Sequence, residues 1–261
     1  MRQPILFYVL WLCAIVFVPA QEPLESHETH ILKISKTLLA GEGLDFKQQK
    51  EADRSVYQKK IYDGSSLALD IVAIGTGITN TFENFPMEEF IFWKNGKAIV
   101  TPESETPFEV HSGDYFIQAK GFKGTWHFVN NGGLHLELAL IAKNRDRLPK
   151  KSPITKAMVI NRDLISGVQD FTNDEMMVYS GAELQVKLIR STQKIISGSS
   201  QDALMHVLQG VVTFTDDHND EKQVFYPGDF FVLPEGFKGS WNSDSLQDLR
   251  MFEVLRMPDP Q

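Results

Sequence analysis

Three carboxylates fall close together at Glu83, Glu88 and Glu89, and a tryptophan follows at Trp93. Strand side chains alternate between faces, so a strand through this segment sends Glu89, Ile91 and Trp93 to one side and Phe90 and Phe92 to the other. A carboxylate held among indole rings suits a small polar ligand such as a sugar or an amine. The rings cover the faces of the molecule and the carboxylate fixes its orientation. Desolvated in such a place, Glu89 would hold its proton more tightly, as a general acid or base requires. Glu89, Trp93, Trp126 and Glu83 are therefore the expected ligand-binding residues. Glu89, with Glu88 or His206 as second partner, is the expected catalytic set if the protein is an enzyme.

Other chemistries are excluded early. Residues 1–20 carry a basic Arg2, an apolar run from Ile5 to Val18 and the short side chains of Val18-Pro19-Ala20. This is the pattern of a secretory signal peptide cut after Ala20. The run spans about 14 residues, short of the roughly 20 that cross a bilayer, so the mature form is expected without a membrane span. The only cysteine, Cys13, leaves with the leader. That removes thiolate catalysis, cysteine-ligated metal and disulfides, although an exported compartment would permit the last. The formal net charge is −8, against a phosphate-tracking surface, so no nucleic-acid partner is expected. The expected location is secreted, in the periplasm.

An internal repeat shows which elements position these residues. Gly113-Asp-Tyr-Phe-Ile-Gln-Ala-Lys-Gly-Phe-Lys-Gly-Thr-Trp126 aligns without a gap to Gly228-Asp-Phe-Phe-Val-Leu-Pro-Glu-Gly-Phe-Lys-Gly-Ser-Trp241. Upstream, the segment from Phe90 to Gly96 matches Leu204 to Gly210 in pattern. A period of this length is a duplicated domain and not a solenoid unit. Both copies read as short alternating strands separated by turn residues, the signature of a sandwich or small barrel.

Gly228, Pro234 and Gly236, with the flanking Gly-Phe-Lys-Gly-x-Trp present in both copies, resemble the cupin domains named for ureidoglycine aminohydrolase. The resemblance implies an all-β chain of two tandem cupin barrels, each a jelly roll, in the RmlC-like cupin superfamily. With the signal peptide at 1–20, the expected boundaries are 21–145 for the N-terminal barrel with an N-terminal extension. A linker at 146–176 and a C-terminal barrel at 177–261 complete the chain. The extension is expected to begin as a loose acidic end over 21–30 and form a short helix within 31–40. The basic linker is expected to be solvated.

The family's metal set is His-x-His, Glu and a further His, a nitrogen-and-oxygen cage for a divalent ion. Counting back from Gly96 leaves Glu89 as the carboxylate. The first two histidine positions fall on Phe82 and Asn84, or on Glu83 and Phe85, and the last falls on Gly124. In the second copy the carboxylate position is Ala203 and the last histidine position is Gly239. The expectation is no metal and no other cofactor. By the same alternation His206 faces away from its barrel.

The resulting expectation is a metal-independent binder of a sugar or nitrogenous metabolite, working through the first barrel, with the second structural. Two other classes stay open. One is a metal-free isomerase, epimerase or hydrolase built on Glu89. The other is a structural protein whose barrels are filled by side chains. Phe90, Phe92, Leu204 and His206 imply that the outward faces are covered by the partner barrel, the N-terminal segment or a second subunit in a homodimer. Exported material should begin at Gln21, as N-terminal sequencing would show; an intact Met1 in a membrane fraction would contradict the leader assignment.

Overall fold

A computed structural model describes residues 30–49, 54–243 and 248–260. The leader at 1–20 and the acidic residues 21–29 lie outside them.

The chain opens with β1 (Leu32–Lys33) and α1 (Lys36–Leu39), then β2 (Asp45–Gln49), β3 (Arg54–Asp63), β4 (Leu67–Gly75) and β5 (Thr79–Phe82). The first repeat continues through β6 (Glu89–Asn95), β7 (Lys97–Pro102), β8 (Phe108–His111), β9 (Tyr115–Gln118), β10 (Gly124–Phe128) and β11 (Leu134–Ala142). Between the repeats come β12 (Met158–Val159) and α2 (Arg162–Ser166). The second repeat holds β13 (Glu175–Ser180), β14 (Leu184–Ile189), β15 (Gln193–Ile196), β16 (Ala203–Gln209) and β17 (Val212–Asp216). It ends with β18 (Lys222–Phe225), β19 (Phe230–Leu233), β20 (Gly239–Asn242) and β21 (Arg250–Arg256). Among the described residues no helix is long and apolar enough to cross a membrane.

Each repeat closes a large sheet over a small one. The first pairs the sheet β12-β9-β6-β11-β4-β3-β2 with β5-β10-β7-β8; the second pairs β1-β19-β16-β21-β14-β13 with β15-β20-β17-β18. The expected all-β, two-barrel architecture is what the chain adopts. Alternation in β6 sorts its residues between two cores. Ile91 and Trp93 enter the interior of the first barrel with Phe82, Phe116, Trp126 and Phe128. Phe90 and Phe92 face outward and meet Phe230, Phe252 and Val254 of the second barrel. The two large sheets thus pack back to back, and the cover for the outward aromatics is the partner barrel.

Two short segments are exchanged. β1 pairs with β19, so residues from the N-terminal extension complete the second barrel's sheet. β12 pairs with β9 and completes the first. The segment expected as a solvated linker therefore buries Leu148, Ala157 and Ile160. Basic composition around Pro149 hid an apolar spacing that matches Ile31 and Ile34 in the extension. Each exchanged segment is held by the aspartate of a Gly-Asp turn. Arg162 donates two hydrogen bonds, of 2.6 and 2.7 Å, to Asp114, while Lys33 and Lys36 pair with Asp229 at 2.7 and 3.3 Å.

The barrels are also stapled by buried carboxylates. Glu88 accepts backbone N–H bonds from Ala182 (2.6 Å), Glu183 (2.8 Å) and Leu184 (2.9 Å), and the hydroxyl of Ser152 at 2.8 Å. At the matching place Asp202 accepts from the N–H groups of Ser66 (2.7 Å) and Leu67 (3.1 Å) and from the Tyr62 hydroxyl at 2.7 Å. Burial alone would raise the Asp202 carboxyl, yet its N–H and tyrosine donors hold it below the ordinary carboxylate range. A Cβ at Gly181 would collide with the Glu88 carboxylate, and one at Gly64 with that of Asp202, so each staple requires a glycine at its approach.

This arrangement corrects the catalytic assignment of Glu88, whose oxygens are saturated by the second barrel. Glu88→Ala should cost about 3 kcal/mol or more by leaving buried N–H groups unpaired. Glu83→Ala, at an exposed position, should stay within about 0.5 kcal/mol. Denaturant unfolding checks both.

Candidate functional site

The inner face of the first barrel's large sheet carries its polar residues in register. Glu89 lies opposite Gln118 of β9 and Ile141 of β11. Ala139 lies opposite Ile91 on one side and Asp70 on the other, and Glu137 lies between Trp93 and Val72. Glu89, Gln118, Asp70, Glu137 and, at the far end, His135 therefore share one wall. Glu89 is half-buried at its rim; the other four are buried.

Electrostatics on this wall are unfavourable for charge. Burial, then the carboxylates of Glu137 and Asp70, push the Glu89 carboxyl from 4.5 up to about 8, against the opposing pull of Arg145. Asp70 is also raised by burial, although Gln58, Lys60 and Lys47 act the other way. Its Oδ1 has no hydrogen-bond partner, and neither does the oxygen or the nitrogen of the Gln118 amide. His135 meets an oxygen acceptor at each ring nitrogen: the Asn95 carbonyl at 2.9 Å and the Glu137 carboxylate at 2.5 Å.

The tryptophans are together but sealed. Trp93 is fully buried, with the His135 ring centroid 4.0 Å away and Phe128 stacked at 5.9 Å. Trp126 meets Phe82 at 5.4 Å and Phe116 at 5.2 Å. These rings fill the barrel beyond the polar wall, so the expected aromatic cavity is a packed floor and Trp93 and Trp126 are not open to a ligand from solvent. Glu83 is exposed outside this wall. Sequence reasoning missed Asp70, Gln118, His135 and Glu137. The usable signal was the alternation in Leu134-His-Leu-Glu-Leu138, where two polar residues two apart interrupt an apolar strand.

His206 is no partner for Glu89. It lies in the interface between barrels, stacked on Phe230 at 3.6 Å with Nδ1 2.7 Å from the Tyr115 hydroxyl. Burial pushes it down to about 3, so the ring is neutral. Glu89 projects from the other face of the intervening sheet.

The fold's usual metal finds an incomplete donor set. Phe82 and Phe85 are buried among aromatics, and Glu83 and Asn84 are exposed. Gly124 has φ 147° and a Cβ there would strike the Thr101 carbonyl oxygen; at Gly239 the Thr215 carbonyl blocks the same space. A histidine at either glycine would require the backbone to move. Among the described residues no three His, Cys, Asp or Glu side chains are grouped to hold a metal ion. The residues present do not fit the family's metal.

The second barrel differs on the same wall. Ala203, Met205 and Val207 replace Glu89, Ile91 and Trp93 in its interior. The register puts Lys187 where Asp70 stands and Glu253 where Ala139 stands. Those two are 3.8 Å apart, an inward pair that the apolar reading of this barrel did not anticipate.

Residues 77–131 and 194–246 match the family described as the EutQ-like cupin domain. A Cupin 2 conserved barrel domain protein from Leptotrichia buccalis superposes with a TM-score of 0.55 at 13% identity, covering 84% of this chain and 95% of its own. A protein of unknown function from Pseudomonas syringae pv. tomato gives 0.56 at 16% identity, covering 86% and 98%. The protein Ylba from E. coli gives 0.56 at 12% identity, covering 93% and 97%. Comparison with curated proteins gives no match. The chain adopts a tandem cupin fold, with one EutQ-like cupin match in each repeat.

A pH dependence follows from Glu89. The folded state keeps a proton that the unfolded chain has released between about pH 4.5 and 8, so its contribution to stability is complete below that window and lost above it. The wild type should lose stability as pH rises through the window, and Glu89→Gln should show a smaller slope in urea unfolding series.

Proposed function

We propose that the first barrel is a binding site for a small polar molecule and that the second barrel serves as its structural support. The observation that carries this reading is the Gln118 amide: fully buried, facing Glu89, and without a hydrogen-bond partner on either of its polar atoms. A buried amide costs stability unless something satisfies it. A bound polar molecule does so, and the neighbouring Asp70 Oδ1 and the Glu89 carboxyl extend the same set of contacts. The acidic wall makes the ligand a donor of hydrogen bonds, which fits the sugar and nitrogenous-metabolite classes. Binding is metal-independent in this reading, because Glu89 stands without the histidines that would complete a cage. The protein acts after export, and its motifs are akin to those of ureidoglycine aminohydrolase-type cupins.

An enzymatic reading rests on the setting of Glu89, where burial and the neighbouring Glu137 and Asp70 push its carboxyl up to about 8. A carboxyl in that state can donate a proton to a bound substrate, and Glu137 with His135 could return it. Turnover would then add to the same site without moving it.

A thermal-shift screen of the mature protein against sugars, amines and purine-catabolic intermediates should find ligands that raise the melting temperature. Gln118→Leu should raise the unliganded melting temperature and abolish the ligand shift, and Glu89→Gln should weaken the shift at least tenfold in apparent affinity while preserving the fold. If Gln118→Leu instead destabilised the protein and left ligand shifts intact, the buried amide would be a structural residue and the site would lie elsewhere.

A further inference from the structure

We infer that the ligand of the first barrel is a small organic cation, an ammonium or amidinium-type group held between Glu89 and Asp70 with Gln118 as its third contact. This rests on the binding reading above and names its ligand class.

Register carries the argument. Glu89 and Asp70 sit on β6 and β4, the two neighbours of β11, which runs between them. Neighbouring strands lie about 4.8 Å apart and Asp70 is staggered by two residues from the level of Glu89, so the two Cα atoms are about 12 Å apart, a span that two side chains and one small group fill. The residues between them on the inner face are Ile141, beside Glu89, Ala139, beside Asp70, and Ala68, across Ile141 from Glu89. The two alanines are small and buried, which leaves Ile141 as the one large β11 side chain between the acids. In the second barrel the same two positions are Glu253 and Gln185, and the Asp70 position is Lys187. There a lysine ammonium already pairs with a carboxylate. In the first barrel the lysine opposite Asp70 is Lys60 on β3, exposed and bonded to Asp63, and the β11 residues on the Glu89 side of Asp70, Ala139 and Ile141, carry no ammonium.

The charges that face Glu89 and Asp70 leave this place acidic. Glu137 is engaged by His135. Lys47 and Lys60 act on Asp70 but are exposed, and Arg145 acts on Glu89 from a half-exposed turn. Solvent screens such cations more than it screens buried acids. An anionic ligand would add repulsion at this wall, and a neutral one would supply hydrogen bonds without offsetting charge. The unpartnered acceptors at hand, Asp70 Oδ1 and Gln118 Oε1, require N–H or O–H donors. An amidinium or ammonium supplies both donors and charge, and it binds Glu89 by displacing the proton that burial otherwise keeps there, so its affinity rises with pH. A divalent metal is a poorer match, since these side chains are not grouped as metal ligands among the described residues.

The experiment compares two probes of nearly identical shape, acetamidinium and acetamide, by NMR titration of the 15N-labelled mature protein at neutral pH, following the amides of Asp70, Glu89 and Gln118. Acetamidinium should bind at least tenfold more tightly than acetamide, and Glu89→Gln should bring the two within about threefold. Asp70→Asn should lower acetamidinium affinity in the same direction, so the inference does not hang on one variant folding. Equal or tighter binding of acetamide would overturn the cation assignment while leaving a small-molecule site in place. No shift with either probe would overturn both, the wall then being satisfied by water. Perturbation of the same three amides by calcium or manganese chloride at equimolar concentration would overturn the organic cation in favour of a metal.

Discussion

The back-to-back contact of the two large sheets sets what every neighbouring residue can do. Residues that face this contact are committed to it, so the chemistry of the barrel interior must be built from the alternate positions. Glu88 and Glu89 show the constraint at its sharpest. They are adjacent and of one type, yet Glu88 is consumed by three N–H groups of the second barrel while Glu89 turns to the interior of the first. Backbone N–H groups buried where one barrel meets the other need acceptors. Glu88 and Asp202 supply them from opposite sides, and the glycines at 181 and 64 admit them.

How far the sequence reveals this depends on the distance over which each feature is encoded. The repeat, the turns and the two barrels are written locally: each Gly-Asp turn and each Gly-Phe-Lys-Gly-x-Trp element carries its own signal. Alternation within β6 likewise separates Glu89, Ile91 and Trp93 from Phe90 and Phe92. The exchange of β1 and β12 between barrels is not legible, because each short strand pairs with a partner far away in the chain and its own two residues carry almost no pattern. The role of Glu88 is hidden for the same reason, since its donors lie at residues 182–184. Asp70 and Gln118 were hidden because each is a single polar residue within an apolar strand, whereas His135 and Glu137 leave a pattern in β11 but no sign of what they face. Only the register across β4, β11, β6 and β9 brings them to one wall.

The duplicated motif conserves scaffolding and leaves the site to diverge. Asp114 and Asp229 hold equivalent turns, and the exchanged segments answer them with different cations, Arg162 in one case and two lysines in the other. Gly124 and Gly239 pass equally close to a facing carbonyl, so the backbone path that removes the last metal-ligand position is built into both barrels. The inner walls are where the copies part. Asp70 faces Lys187 in the alignment of the two copies, and Ala139 faces Glu253.

That divergence bears on why unsatisfied polar groups persist in the first barrel. In the second, Lys187 and Glu253 offset each other, the arrangement expected when a buried charge is kept only with a partner. In the first, a lysine for Asp70 with a glutamate for Ala139 would produce the equivalent pair, and an apolar residue for Gln118 would remove an unpaired amide altogether. Neither change demands a different backbone, because the second barrel supports Lys187 and Leu233 at the matching positions of the same fold. A structure that can accommodate the stabler solution in one copy and carries the costlier one in the other has its polar wall where folding does not ask for it. Binding is the physical use that such a wall serves.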